Sequence, residues 1–184
     1  MDVLAVREPG GTEVSDAIRH ILLDSKSGSI NARTELLLFC ASRAQLVSDR
    51  IKPHLSRGGI VVCDRFADST LAYQGYGRGL DIDFLQGLLR FATDGLTPDL
   101  TLLLDVDVSL GLQRKNNGAE WNRLDGEAVQ FHERVRAGYL SLAAQGRVRW
   151  VVISANRPFD SVSEDIRQAV MHRLNLSRTA ADSR

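Results

Sequence analysis

Val3-Leu4-Ala5-Val6 runs straight into Arg7-Glu8-Pro9-Gly10-Gly11-Thr12, and a helical period takes over from residue 14. A short apolar run without polar alternation fits a strand buried on both faces of a parallel sheet. The pattern recurs along the chain, with further apolar runs at 60–63, 100–106 and 150–153. Helical periods separate them at 14–23 (Ile18, Ile21 and Leu22 on one face), 34–55, 83–91, 127–144 and 160–174. Pro53 is expected to kink or restart the second of these. No internal repeat or interdomain linker interrupts the series. Strand followed by helix, repeated, predicts one α/β domain over 1–174 with helices on both faces of a parallel sheet. Residues 175–184 read as a polar, fraying tail.

Composition narrows the partners. The 184 residues carry 23 basic and 23 acidic side chains, so no global field draws the chain to nucleic acid or to an anionic membrane. Phosphate recognition must then come from arginines placed locally. Cys40 and Cys63 lie in apolar stretches and form no CxxC pair, which fits buried, reduced thiols and a cytoplasmic protein. No apolar run approaches the roughly 18 residues of a membrane span, and no signal-peptide pattern precedes the first run.

In open parallel sheets ligands bind beyond the carboxyl ends of the strands. The exits here are Arg7 to Thr12, Asp64-Arg65-Phe66, Asp105-Val106-Asp107 and Ser154-Ala155-Asn156-Arg157. Asp64-Arg65 suits a metal–nucleotide site, the carboxylate holding magnesium through water and the guanidinium forking onto a phosphate. The dipeptide alone favours a structural ion pair. Phe39 and Arg43 stand four apart on a helix and share a face; on its own, Phe39 reads as a core residue.

Taken together, REPGGT (7–12), LLLFCASRAQL (36–46) and DRFADSTLAYQG (64–75) resemble, in order and spacing, the signature stretches of bacterial thymidylate kinases. Those enzymes pass the terminal phosphoryl group of ATP to dTMP. The resemblance extends from Asp2 to about Arg173 and implies the P-loop nucleoside monophosphate kinase fold. It implies that Phe39 stacks on thymine and Arg43 bonds its edge. It places Arg7 and Arg65 on the acceptor phosphate, and Asp64 beside Mg2+ and the transferring phosphoryl. Ser69, Thr70, Tyr73 and Gln74 match the segment that closes over deoxyribose and base. A tyrosine ring there would crowd a 2′-hydroxyl.

Residues 113–123 resemble the family's lid over ATP, giving a lid at about 114–125. Arg114 is expected on the adenine side, with Lys115 and Arg123 toward the phosphates and 155–158 edging the adenine pocket. The lid departs from the family pattern at Asn122-Arg123-Leu124-Asp125, where the family has Asp-Arg followed by Glu. A larger departure is that G-x-x-x-x-G-K-[ST], whose amides and lysine cradle the donor phosphates, occurs nowhere in the chain. Gly10-Gly11-Thr12 is too short to replace it, and no lysine follows. In the family REPGGT closes the second strand of the βαβ unit. The resemblance therefore implies a chain without its first strand, Walker A loop and first helix, about 30 residues. The functional expectation is an ATP- and Mg2+-dependent dTMP kinase, homodimeric and cytoplasmic. Its alternatives are a non-catalytic nucleotide-binding or dimerising remnant, and a kinase for another nucleotide or nucleoside.

Overall fold

The computed structural model describes residues 1–24, 29–118 and 122–174; the expected tail at 175–184 and lid positions 119–121 lie outside these. Four strands form two parallel pairs. β1 (Val3–Arg7) pairs with β2 (Ile60–Asp64), Val3 opposite Ile60 and Arg7 opposite Asp64. β3 (Thr101–Asp105) pairs with β4 (Trp150–Ser154) from Thr101–Trp150 to Asp105–Ser154. Among the described residues no ladder joins the two pairs, so one continuous sheet is replaced by two parallel halves flanked by helices.

The helices begin where the sequence supplies caps. The Thr12 hydroxyl accepts from the Ser15 amide at 3.1 Å to start α1 (Glu13–Leu23), and Asn31 does the same for α2 (Ala32–Leu46) through the Arg33 amide. The predicted helix over 34–55 is not continuous. A π-helical turn at Val47–Ile51 separates α2 from the short α3 (Lys52–Leu55). Pro53 has no N–H for the carbonyl four residues back, and its ring would press on that carbonyl in an α turn; the wider turn comes just before it. A second π turn, Leu71–Gly77, continues α4 (Ala67–Thr70). Then come α5 (Ile82–Ala92), capped by Asp81, α6 (Val108–Gly118), α7 (Val129–Gln145) and α8 (Phe159–Arg173).

Three apolar clusters hold these parts. Leu36 and Cys40 of α2 meet Leu71, Leu85, Leu89 and Ala92; Leu46, Val47 and Ile51 pack under β1 and β2; Ala72 meets Phe131 and Val135 of α7. Each fully buried Leu stabilises by about 1.5–3 kcal/mol. Arg149 links the two halves by gripping Asp68 of α4 in a bidentate pair at 2.6 and 2.8 Å and donating to the Thr101 hydroxyl at 2.5 Å.

Candidate acceptor site

β1 and β2 end side by side, so their register sets Arg7 next to Asp64, and the Glu8 amide donates to the Asp64 carbonyl at 2.9 Å. All three side chains of the predicted cluster, Arg7, Asp64 and Arg65, line one cavity of about 300 Å³. Arg7 and Asp64 make no ion pair among the described residues. Arg65 adopts φ +66°, a conformation that side chains resist at a cost of about 1–3 kcal/mol. The Cys63 thiol donates to the Arg65 carbonyl at 3.0 Å, and the guanidinium lies 5.1 Å over the Tyr73 ring. Burial pushes the Cys63 thiol up to about 12, so it is uncharged at neutral pH.

The glycines of the opening loop do not cradle phosphate. The Gly10 amide donates to the Ser42 hydroxyl at 3.3 Å and the Gly11 amide to the Asp16 carboxylate at 3.0 Å. Both residues have positive φ, +131° and +96°. A Cβ on Gly10 would stand 2.7 Å from Asp16 Oδ1, and one on Gly11 would stand 2.8 Å from Leu46 Cδ1. Their work is to fold the loop tightly against α1 and α2, which turns Arg7 and Glu8 toward the cavity.

α2 carries Phe39 and Arg43 to the same cavity wall. Phe39 is half-buried, whereas Arg43 is only 1% exposed and Glu8 5%. Arg43 Nε donates to Glu8 Oε2 at 2.7 Å, with NH2 at 2.5 Å from the same oxygen, and NH1 donates to the Thr70 hydroxyl at 3.1 Å. The guanidinium also covers the Phe66 ring at 5.7 Å. Glu8 Oε1 accepts no hydrogen bond among the described residues. Burial raises the Glu8 carboxyl, and the Arg43 charge and hydrogen bond offset this only in part.

Ser69, Thr70, Tyr73 and Gln74 also reach the cavity, from α4 and the π turn that follows. The Tyr139 hydroxyl donates to Ser69 at 2.7 Å, and its ring meets Tyr73 edge-on at 6.3 Å. Burial pushes that phenol up to about 12. The Gln74 amide nitrogen donates to Glu35 at 2.8 Å. Glu8, Glu35 and Tyr139 carry no role in the sequence reading. Tyr139 is signalled only by its place on the face of α7 that bears Phe131 and Val135, and Glu35 by being an acid one residue before an apolar run.

The expected lid is partly helix. Asp107 accepts from the Ser109 amide at 3.0 Å, and α6 then runs through Arg114 and Lys115 to Gly118. Lys115 lines the cavity, 3.6 Å from Asp125, which lines it too. Arg114 and Arg123 lie outside the cavity wall. Arg114 NH1 donates to the Ala155 carbonyl at 2.9 Å, while Arg123 donates to the Leu22 carbonyl at 3.0 Å and pairs with Glu35. Among the described residues no three acidic, histidine or cysteine side chains converge as a metal cage. A hard cation here would have Asp64 as a protein ligand, with water and phosphate oxygens completing its shell.

A cavity lined by Arg7, Asp64 and Arg65 from the strand ends and by Phe39 and a fixed Arg43 guanidinium from α2 holds the kinds of group that suit a nucleotide's phosphate and base. The family model described as thymidylate kinase matches residues 1–166. A thymidylate kinase of Herpetosiphon aurantiacus is 43% identical over 202 residues, covering 96% of this chain and 86% of that protein. One of Roseiflexus castenholzii is 48% identical over 177 residues, covering 89% and 77%, and one of Clostridium novyi 46% over 169 residues, covering 91% and 82%.

Proposed function

The chain belongs to the thymidylate kinase family, phosphotransferases that convert dTMP and ATP to dTDP and ADP, and on that premise we propose how its residues divide the work. The observation that carries the reading is the convergence of Arg7, Asp64, Arg65, Phe39, Arg43, Ser69, Thr70, Tyr73 and Gln74 on one cavity. Arg7 and Arg65 hold the acceptor phosphate and offset charge that would repel the attacking oxygen from the donor. Phe39 stacks on thymine, and Arg43, held by Glu8 and Thr70, presents its remaining N–H groups to a carbonyl of the base. Tyr73 packs against the sugar face. Catalysis of this kind is positioning and charge neutralisation, with little call for a strong base.

ATP is the donor, and Arg114 and Lys115 are the residues of this chain assigned to meet it; Arg123, committed to Glu35, is assigned to hold the lid's base instead. Asp64 is the ligand proposed for Mg2+, which when bound offsets phosphate charge. A homodimer is supported by large apolar side chains left exposed on three helices: Val14 and Ile21 of α1, Leu37 of α2, and Phe84 and Phe91 of α5, the last two 63% and 84% exposed. No helix among the described residues is long and apolar enough to cross a membrane, and the two reduced cysteines support a cytoplasmic setting.

The test is a calorimetric titration of the chain with a panel of acceptors, dTMP, dUMP, dCMP, dGMP and thymidine, since turnover depends on the G-x-x-x-x-G-K-[ST] cradle that these residues do not contain. dTMP should be the preferred acceptor. Thymidine as the best acceptor would contradict the phosphate role of Arg7 and Arg65.

A further inference from the structure

Outside the residues just assigned, the densest cluster of buried charge centres on Glu35. Glu35 is fully buried near the start of α2. Its Oε1 accepts from Gln74 Nε2 at 2.8 Å and from Arg78 Nε at 3.2 Å; its Oε2 accepts from Arg78 NH2 at 3.2 Å and from Arg123 NH2. Arg78 NH2 continues to Glu127 at 2.6 Å. Two arginines thus balance two glutamates, and the cluster carries no net charge. Burial would push the Glu35 carboxyl up, but the bonds from Arg78, Gln74 and Arg123 outweigh it and hold the group below the usual carboxylate range.

What the carboxylate joins matters more than its charge. Gln74 belongs to the cavity wall built by the π turn. Arg123 and Glu127 belong to the 122–127 segment, from which Asn122, Leu124 and Asp125 also line the cavity. Arg123 anchors this segment a second time through the Leu22 carbonyl. The phosphate end of the cavity stands apart: Arg7, Asp64 and Arg65 sit on the ends of β1 and β2, and Glu35 bonds to none of them.

We propose that Glu35 is a positioning residue that sets the separation of the two walls around the base and sugar of the acceptor, fastening the foot of the lid to the π turn through one carboxylate. The proposal rests on the acceptor-site reading above. Loss of the carboxylate frees Arg123 and Gln74 together, loosens the Leu124 wall and leaves two arginines facing the single Glu127. The phosphate grip is untouched.

Binding of two probes separates this role from a merely structural one. Calorimetric titration of the full chain uses dTMP, which needs both ends of the cavity, and deoxyribose 5-phosphate, which lacks the base. Glu35→Gln should weaken dTMP by about tenfold or more, the scale of lost charged hydrogen bonds, while deoxyribose 5-phosphate stays within about twofold. Arg123→Gln, which leaves Gln74 and Arg78 on Glu35 and serves if Glu35→Gln does not fold, should weaken dTMP by roughly three- to tenfold with the same selectivity. Both probes weakened equally, or dTMP unchanged in a folded variant, overturns the proposal alone. Failure of the unmodified chain to bind either probe overturns the acceptor-site reading and the proposal with it.

Discussion

The two halves of the molecule end their strands in opposite ways. At the carboxyl ends of β1 and β2, Arg7 and Asp64 stand without ion pairs among the described residues, and the Arg65 guanidinium lies over the Tyr73 ring with the Tyr73 hydroxyl and the Asp64 carboxylate beside it. At the ends of β3 and β4 the charges are spent on the fold. Asp105 receives Arg136 in a bidentate pair at 2.7 and 2.9 Å, Asp107 caps α6, and Arg157 pairs with Asp165. The same α/β rule that ligands gather at strand ends applies to both, yet it is the β1–β2 end that sets Arg7 and Arg65 on the cavity. An arginine beside a strand end thus becomes informative only once its partner is known.

The largest effect expected from breaking the contrast is on stability. Glu8→Ala strands Arg43 as a buried charge and should cost about 3–5 kcal/mol in urea unfolding, the scale for breaking a buried pair. The more exposed pair on the other half, broken by Asp105→Asn, should cost about 1 kcal/mol or less. Equal losses would show that the two ends are not differently built. Next in size is ligand binding. Arg65→Ala should weaken dTMP by about two orders of magnitude, worth one or two charged hydrogen-bond contacts, while Arg136→Ala should leave it within about twofold. Comparable losses in titration would erase the functional distinction.

The smallest effect is a pH dependence. The hydrogen bond from Arg136 holds the Asp105 carboxyl below its usual value. The unfolded carboxylate, with a pKa near 3.9, protonates first as pH falls. The pair's contribution is therefore complete above about pH 4 and is lost as pH drops through the lower, folded value. Melting temperatures measured from pH 6 downward should fall less steeply below pH 4 in Arg136→Gln than in the unmodified protein. Identical slopes would remove Asp105 from the list of structural ion pairs.

The strands and their exits are legible in sequence because each apolar run is short, continuous and followed at once by polar residues. Arg7, Asp64 and Arg65 follow from that rule, and Phe39 and Arg43 from their helical spacing. The resemblance supplies the roles of Ser69 to Gln74, and the structure brings those residues to the same cavity. What escapes is the partnering. Glu8 finds Arg43 35 positions away and Glu35 finds Arg123 88 positions away, separations that no local pattern encodes. Pro53 marks the first π turn as a kink, whereas the second, Leu71–Gly77, escapes for a different reason, since one added residue shifts a helical face without leaving a compositional mark. The lid reads as an open polar loop because its polarity conceals the Asp107 cap that carries α6 as far as Gly118.

The central claim is that the β1–β2 end reads a phosphate. Titration of the chain with dTMP and with thymidine, which differ only in that group, tests it most directly. The Arg7 and Arg65 guanidiniums predict that dTMP binds at least about a hundredfold tighter than thymidine, and that Arg65→Ala removes most of the difference while leaving thymidine unchanged. Thymidine binding as tightly as dTMP, or an advantage of dTMP that survives Arg65→Ala intact, would contradict it.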